Sequence, residues 1–227
     1  MQQGKLIVFE GTDGSGKRTQ MDLLTRNLTA LAIPFETLDF PRYEESFFGK
    51  LAGRMMKGEF GGSRAISPEL AVLPYACDRW LTKSDLIRWL SEGKLVISNR
   101  YTASSAVYHA AKLPSDKQQQ FIHWVYELEQ TVIGLPKEDI VLFCYMPAAL
   151  SARLVNKKDT RAYLGNKAKD IYEEDSIMQK TVEALYRDLA GRSSGWKTIN
   201  CIRGDTIKTT EEIHKDIVDV LAQSGVF

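Results

Sequence analysis

The residues best suited to chemistry form a glycine-rich loop near the start of the chain. An apolar run precedes the loop and apolar residues at helical spacing follow it, which predicts a strand, a turn and a helix. The loop reads Glu10-Gly11-Thr12-Asp13-Gly14-Ser15-Gly16-Lys17-Arg18-Thr19. Its glycines let successive backbone N–H groups point at one anion, and the helix start adds partial positive charge. With Lys17 as a mobile cation, the loop predicts polyphosphate binding; the alternative is a glycine-rich turn without a ligand.

One position departs from the usual pattern of phosphate-binding loops. The residue after the lysine is normally Ser or Thr, whose hydroxyl ligates Mg²⁺. Here it is Arg18, whose side chain carries only donors and cannot ligate a metal. The sequence leaves open whether Thr19, the next residue, reaches the ion.

The composition limits the class of protein. The chain has 227 residues, 30 basic and 29 acidic, with a formal charge of +1, so no nucleic acid partner is expected. No apolar run approaches the length of a membrane span, and we expect a cytoplasmic protein without a membrane partner. The three cysteines are far apart and there are only three histidines, so no zinc-type spacing is present and the thiols are expected to be reduced.

Predicted strands and helices alternate along the chain. Strands are expected within residues 5–9, 34–41, 94–98, 139–145 and 197–200. Helices are expected after the glycine loop and at about 46–57, 67–90, 103–112, 115–133, 148–155, 172–190 and 210–221, with a kink or an interruption at Pro74. This order predicts a parallel sheet covered by helices on both faces. Without a linker or repeat, residues 1–227 are expected to form a single domain.

A few polar and aromatic residues outside the loop are candidates for a second site. Arg100 follows a predicted strand, where ligands collect in open α/β sheets, although a surface ion pair is the alternative. Tyr75 and Arg79 lie four residues apart on one predicted helical face, but an aromatic at that spacing is often core. Asp13 is an acid inside an anion-binding loop, which indicates either a specific function or a helix cap.

Five separated segments resemble the thymidylate kinase family. They are the glycine loop with Phe9, Phe40-Pro41-Arg42-Tyr43, Tyr75-Ala76-Cys77-Asp78-Arg79, Arg100-Tyr101-Thr102-Ala103-Ser104-Ser105-Ala106-Val107-Tyr108, and Asp170-Ile171-Tyr172-Glu173. The loop with Arg after Lys and the Phe-Pro-Arg-Tyr segment are most similar to the mycobacterial-type members. The resemblance implies a three-layer α/β/α P-loop kinase fold with a five-stranded parallel sheet and a lid at about 153–170. It also implies transfer of the γ-phosphate of ATP to dTMP, Mg²⁺ dependence and a homodimer.

The resemblance also implies roles for individual residues. ATP would be bound by Gly11, Asp13, Gly14, Ser15, Gly16, Lys17, Arg18 and Thr19. The acceptor dTMP would be bound by Asp13, Phe40, Pro41, Arg42, Tyr75, Arg79, Arg100, Ser104, Ser105, Tyr108, Asp170, Tyr172 and Glu173. Catalysis would depend on Lys17, Arg100 and the lid arginines Arg153 and Arg161, and the metal would be held by Asp13 and Glu173.

Two alternative functions remain, and two substitutions relative to the family support the second of them. Arg18 replaces a hydroxyl, and Asn99 stands where the family's acidic residue precedes Arg-Tyr. One alternative is a kinase for another nucleoside monophosphate, such as CMP, UMP or AMP. The other is a nucleotide-binding protein with impaired catalysis.

Overall fold

A computed structural model describes residues 3–62, 65–155 and 176–226 of the chain. Five strands form one parallel sheet in the order β2-β3-β1-β4-β5. These strands are β1 Leu6–Glu10, β2 Phe35–Asp39, β3 Leu95–Asn99, β4 Ile140–Tyr145 and β5 Trp196–Asn200. Every residue of β1 is buried, as expected for the central strand of a sheet covered on both faces. The predicted five-stranded parallel sheet is confirmed.

Helices cover both faces of the sheet. In chain order they are α1 Lys17–Ala30, α2 Phe47–Met56, α3 Pro68–Trp80, α4 Lys83–Ser91, α5 Thr102–Ala110, α6 Ser115–Tyr126, α7 Ala148–Val155, α8 Ser176–Arg192 and α9 Thr210–Gln223. On one face, Ile7 and Ile97 pack against apolar residues of α1 and α9. On the other, Phe143 packs against α5, α6 and α8, and Val8 packs against α4. The predicted three-layer α/β/α arrangement is confirmed, and none of the described helices is long and apolar enough to span a bilayer.

The structure differs from the predicted elements at three places. The segment expected as one helix over 67–90 is two helices, and the break lies at residues 81–82 rather than at Pro74, which α3 accommodates in its interior. At the break the Thr82 hydroxyl donates to the Arg79 carbonyl, at 2.8 Å. The helix expected to end at 133 becomes a π-helical turn at Glu127–Val132. A short antiparallel pair, β6 Ile202–Arg203 and β7 Thr206–Ile207, was not predicted.

Glu138, in the connection between the π-helical turn and β4, carries a perturbed carboxyl group. Its Oε2 accepts from Gln130 at 3.2 Å, and its Oε1 is buried without a hydrogen-bond partner among the described residues. Burial raises the pKa of Glu138 to about 7, and the nearby carboxylates of Glu10 and Glu129 add to the effect. The folded protein therefore retains a proton that the unfolded chain has already lost above its ordinary pKa of 4.5.

Because the folded-state pKa is raised, this carboxyl group lowers the free energy of unfolding as the pH rises from 4.5 to about 7. Glu138→Gln cannot ionise and should remove up to about 3 kcal/mol of that decline. Urea unfolding at pH 5 and pH 8 measures it, with Glu127→Gln, an exposed residue of the same region, as the control. Equal slopes in wild type and Glu138→Gln would contradict the assignment.

Candidate active site

The glycine loop connects β1 to α1 in the geometry that phosphate binding requires. Gly11 has φ +142°, and a Cβ there would lie 2.7 Å from the Cys144 carbonyl oxygen, so a side chain is excluded by the end of β4. Gly16 has φ +86° and directly precedes α1, which starts at Lys17. The first backbone N–H groups of α1 therefore lie beside the loop, where an anion is stabilised by them.

Lys17 lies over this loop and is almost fully buried, with 6% of its surface exposed. Its Nζ donates to the carbonyl oxygens of Gly11 at 2.9 Å and Thr12 at 2.7 Å. Desolvation and, to a lesser extent, the Arg100 guanidinium lower the pKa of Lys17 to about 7, with Asp13 partly opposing the shift. A group with this pKa gains a proton readily when negative charge arrives.

One cavity of about 350 Å³ opens beside the loop. It contains residues from the glycine loop, from the ends of β2 and β3, and from α3 and α5. Most of the side chains predicted for the two nucleotides lie in its wall. They are Asp13, Gly14, Gly16, Lys17, Arg18, Phe40, Pro41, Tyr75, Arg79, Arg100, Ser104, Ser105 and Tyr108.

Asp13 is held at the centre of the cavity by two donors. Arg100 Nη2 donates to Asp13 Oδ1, and the Tyr108 hydroxyl donates to Oδ2 at 2.7 Å. Burial and the adjacent Asp13 raise the pKa of Tyr108 well above its ordinary value, so the phenol retains its proton. Arg100 adopts φ +65°, a conformation that costs a non-glycine residue about 1–3 kcal/mol. The Arg100 backbone is thus strained, and in this conformation its guanidinium points to the glycine loop.

A buried ion pair forms a second wall of the cavity. Arg79 Nε donates to Glu129 Oε2 at 2.7 Å, and Arg79 Nη2 donates to Ser105 Oγ at 2.6 Å. Arg79 and Glu129 are 1% and 0% exposed. The Arg79 guanidinium also lies over the Phe40 ring, 5.8 Å from its centroid. Because the pair is neutral as a whole, this wall suits a polar but uncharged group such as a nucleobase.

Not every predicted residue lies in the described cavity wall. Gly11, Ser15, Thr19 and Arg42 are outside it, among the described residues. Arg42 Nε instead donates to the buried carboxylate of Asp78 at 3.1 Å. The predictions for Arg161, Asp170, Tyr172 and Glu173, and most of the predicted lid, fall outside the described residues, as does the side chain of Arg153.

The structure adds cavity residues that sequence reasoning missed. Asp39, the last residue of β2, accepts from Asn99 Nδ2 at 2.7 Å and from Arg18 Nη1. Tyr43, Met56 and His109 complete the wall. Asp39 directly precedes the Phe-Pro-Arg-Tyr segment at the end of a predicted strand, which was a signal for a site residue. His109 lies one residue beyond the segment from Arg100 to Tyr108 that resembles the family and gave no such signal.

The cavity suits a Mg²⁺ ion bound mainly by a polyphosphate. The described residues contain no group of three or more His, Cys, Asp or Glu side chains able to hold a metal. Mg²⁺ does not need such a cage, because it keeps several waters and typically takes one or two carboxylates together with substrate phosphates. The cavity offers Asp13 and Asp39 as carboxylates beside the anion-binding loop.

The lowered pKa of Lys17 predicts that nucleotide binding is accompanied by proton uptake. With a pKa of about 7, most Lys17 side chains are neutral at pH 8, and a bound triphosphate should recharge them, so binding takes up close to about one proton. Calorimetric titration of a non-hydrolysable ATP analogue at pH 8, in two buffers of different ionisation enthalpy, measures the uptake. Lys17→Arg, which stays charged, should show almost none. Equal heats in both buffers for the wild type would contradict the prediction.

Comparison with known proteins identifies the family. The family model described as thymidylate kinase matches residues 9–217. The thymidylate kinase of Mycobacterium tuberculosis is 34% identical over 192 residues, covering 84% of this chain and 87% of its own length. That of Plasmodium falciparum is 30% identical over 216 residues, covering 95% of this chain and 89% of its own length.

The fold is also found in a solved structure. The thymidylate kinase of Candida albicans superposes with a TM-score of 0.78 at 22% identity, covering 99% of this chain and 93% of its own. That likeness supports the fold, whereas the family model and the two relatives carry the assignment by sequence. On those matches, the chain belongs to the thymidylate kinase family.

Proposed function

We propose that this chain transfers the γ-phosphoryl group of ATP to dTMP, as the enzyme of dTDP formation. The supporting observation is that one cavity joins the phosphate-binding loop to a second set of polar and aromatic side chains on α3 and α5. Phosphoryl transfer asks little covalent chemistry of the protein; alignment of the two nucleotides and positive charge around the moving group are what it needs.

The donor half uses the glycine loop and Lys17. The loop amides and the start of α1 bind the β- and γ-phosphates, and Lys17 leaves the Gly11 and Thr12 carbonyls to follow the charge of the γ-phosphate. Arg18 and Thr19 are proposed to contribute at the outer end of the same site. The lid at about 153–170, with Arg153 and Arg161, would close over the phosphates and exclude water.

The acceptor half uses Arg100, Asp13 and Tyr108. Arg100 binds the phosphate of dTMP, which replaces part of its ion pair with Asp13. Asp13 is then proposed to face the 3′-hydroxyl of the sugar, and Tyr108 to fill the space that a 2′-hydroxyl would need. The family resemblance implies the same role for Tyr172, which lies outside the described residues. The deoxyribose preference follows from this crowding. Arg42, Asp170 and Glu173 complete the predicted acceptor site.

The base is proposed to lie between aromatic and polar groups of α3 and α5. Tyr75 and Phe40 supply the faces on which a pyrimidine stacks. Ser105 accepts a hydrogen bond from Arg79, so its own hydroxyl hydrogen is available to donate to a base carbonyl. Ser104 is bonded to Glu10 at 2.6 Å and positions the start of α5 beneath the base.

Mg²⁺ is the proposed cofactor, with Asp13 and Glu173 as its protein partners. When bound, the ion would supply positive charge that stabilises the negative charge developing on the donor phosphates. Asp13 contributes by holding one carboxylate at the junction of the two nucleotides, where Arg100 and Tyr108 fix its orientation.

Release of ADP with a panel of acceptors tests the function. With ATP and Mg²⁺, dTMP should support the fastest release, ahead of dUMP, CMP, UMP and AMP, and removal of Mg²⁺ should abolish it. Lys17→Met should lower kcat by about 100-fold or more, because a charge at the transferring phosphate is lost. A faster rate with CMP or AMP would favour the alternative kinase, and ATP binding without ADP release for any acceptor would favour the impaired protein.

We further propose a cytoplasmic homodimer. The described cysteines are free, as is usual in a reducing compartment. The outward face of α3 is apolar: Leu70, Leu73, Trp80 and Leu81 are 62%, 38%, 53% and 47% exposed. Monomeric proteins seldom expose a contiguous apolar patch of this kind, and a second copy would bury it.

Charged substitutions on α3 test the dimer. Leu70→Glu with Trp80→Glu should convert the protein to a monomer in sedimentation experiments, because charges in a buried apolar interface are strongly unfavourable. Ile177→Glu, a change at an equally exposed apolar residue of α8, should leave the dimer intact. A wild type that sediments as a monomer would exclude the proposed assembly.

A further inference from the structure

The two substitutions that separate this chain from the usual pattern meet at one carboxylate. Arg18 replaces the hydroxyl after the loop lysine, and Asn99 ends β3 without a charge. The register of the sheet pairs Asn99 with Asp39 at the end of β2. Both Arg18 Nη1 and Asn99 Nδ2 donate to the two oxygens of Asp39, the second at 2.7 Å. Asp39 is therefore in contact with both residues that depart from the usual pattern.

The Asn99 side chain is fixed by this contact. Because its amide nitrogen faces the Asp39 carboxylate, its Oδ1 points the other way and is buried with no hydrogen-bond donor among the described residues. An asparagine held in this way orients its neighbour. Position 39 lies on the same edge of the sheet as position 99, one strand spacing of about 4.8 Å from it. The Asp39 carboxylate is therefore displaced by that distance from the place of the family's acidic residue.

A carboxylate in this position needs a cation. Asp39 lines the same cavity as Gly14, Gly16 and Lys17, where polyphosphate is proposed to bind. Two anions next to each other repel, so Asp39 would weaken nucleotide binding unless a positive ion lay between them. Either Arg18 or a divalent metal ion can fill that role.

The contacts of Arg18 favour the metal. Arg18 Nε is also paired with Asp22 at 3.0 Å, and Asp22 is not part of the cavity wall. Side-chain exposure is 59% for Arg18 and 45% for Asp39, so their ion pair is a weak one that a divalent ion can displace. Arg18 then keeps Asp22 as its partner. The Asp13–Arg100 pair is more buried, with 18% and 15% of the two side chains exposed.

We propose that Asp39 is a further carboxylate, in addition to Asp13 and Glu173, that holds the nucleotide-bound Mg²⁺ through the ion's water ligands, with Asn99 as its positioning residue and Arg18 as the counter-ion that the metal displaces. This inference rests on the proposed function, since it assumes that ATP occupies the glycine loop. The competing explanation is a purely structural ion pair that ties α1 to the edge of the sheet.

Nucleotide binding with and without Mg²⁺ separates the two explanations. The affinity of a non-hydrolysable ATP analogue is measured by calorimetry in excess Mg²⁺ and again in EDTA, without an acceptor. Asp39→Asn should lower the affinity in Mg²⁺ by about tenfold, the usual loss for an outer-shell group. In EDTA the same variant should bind as tightly as wild type or more tightly, because a repulsive charge has gone. A structural ion pair would move both affinities in the same direction.

Two further variants make the test specific. Asp22→Asn removes the other carboxylate that pairs with Arg18 and should leave the Mg²⁺-dependent gain within about twofold of wild type, since Asp22 lies outside the cavity wall. Asp39→Asn combined with Asn99→Asp exchanges the positions of the carboxylate and the amide. This double variant should recover the Mg²⁺-dependent gain in affinity to within about threefold of wild type, because the carboxylate moves by one strand spacing only.

The inference is overturned if Asp39→Asn retains the wild-type gain, if Asp22→Asn loses as much, or if the exchanged pair recovers nothing. None of these measurements needs turnover or dTMP. Failure of the wild type to phosphorylate dTMP would thus contradict the proposed function while leaving the metal result interpretable. An analogue that does not bind at all would overturn both.

Discussion

The buried carboxylate of Glu10 is the interaction on which the site depends. It ends β1, is completely buried, and accepts from the backbone N–H groups of Tyr101 at 2.9 Å and Ser104 at 3.1 Å. Backbone N–H groups at the start of a helix have no hydrogen-bond partner within the helix, and Glu10 supplies an acceptor for those of α5 from a distant strand. The Tyr186 hydroxyl of α8 donates to the same group at 2.8 Å. Two helices, α5 and α8, are thus fixed to the residue that begins the glycine loop.

This arrangement explains why Arg100 tolerates a left-handed backbone. Its N–H is bonded to the Phe9 carbonyl at 2.9 Å and its carbonyl accepts from Ser98 Oγ at 2.7 Å, so both sides of the strained residue are held. The following residue is held by Glu10. The site is then built from opposite charges that are paired before any substrate arrives: Asp13 with Arg100, Glu129 with Arg79, and Asp39 with Arg18. Binding can proceed by exchange of partners, without leaving a buried charge alone.

Much of this could be predicted from the sequence. Apolar runs of five or six residues define the buried strands, and the glycine loop with Lys17 has few physical interpretations. The convergence of Asp13 and Arg100 follows once parallel strands are assumed, because the ends of adjacent strands share one edge of a sheet. Tyr108 was predicted in the site only from the family resemblance. The ion-pair partners of the site residues were harder to predict from the sequence. Glu129 is fifty positions beyond Arg79, and only tertiary packing brings the two together.

Other differences have local causes. Pro74 was expected to interrupt a helix, but a proline removes a single hydrogen bond, and the packing of α3 outweighs that loss. The position of Asp39 at a strand end indicated a site residue, but its contacts with Asn99 and Arg18 could not be predicted, because they depend on the register between β2 and β3 and on the rotamer of Arg18. Contacts that depend on register are weakly encoded by composition or spacing.

The π-helical turn at Glu127–Val132 determines which side chain faces Arg79 in the cavity wall. A turn of this kind is an α-helix with one extra residue, and the insertion changes which side chains face inward afterwards. Glu129 lies inside it and reaches Arg79 with both carboxylate oxygens. Loss of one residue from the turn would restore ordinary winding and rotate this acid by about 100° away from the arginine. The extra residue of this turn is therefore what keeps the Arg79–Glu129 ion pair, and with it one polar wall of the cavity, in place.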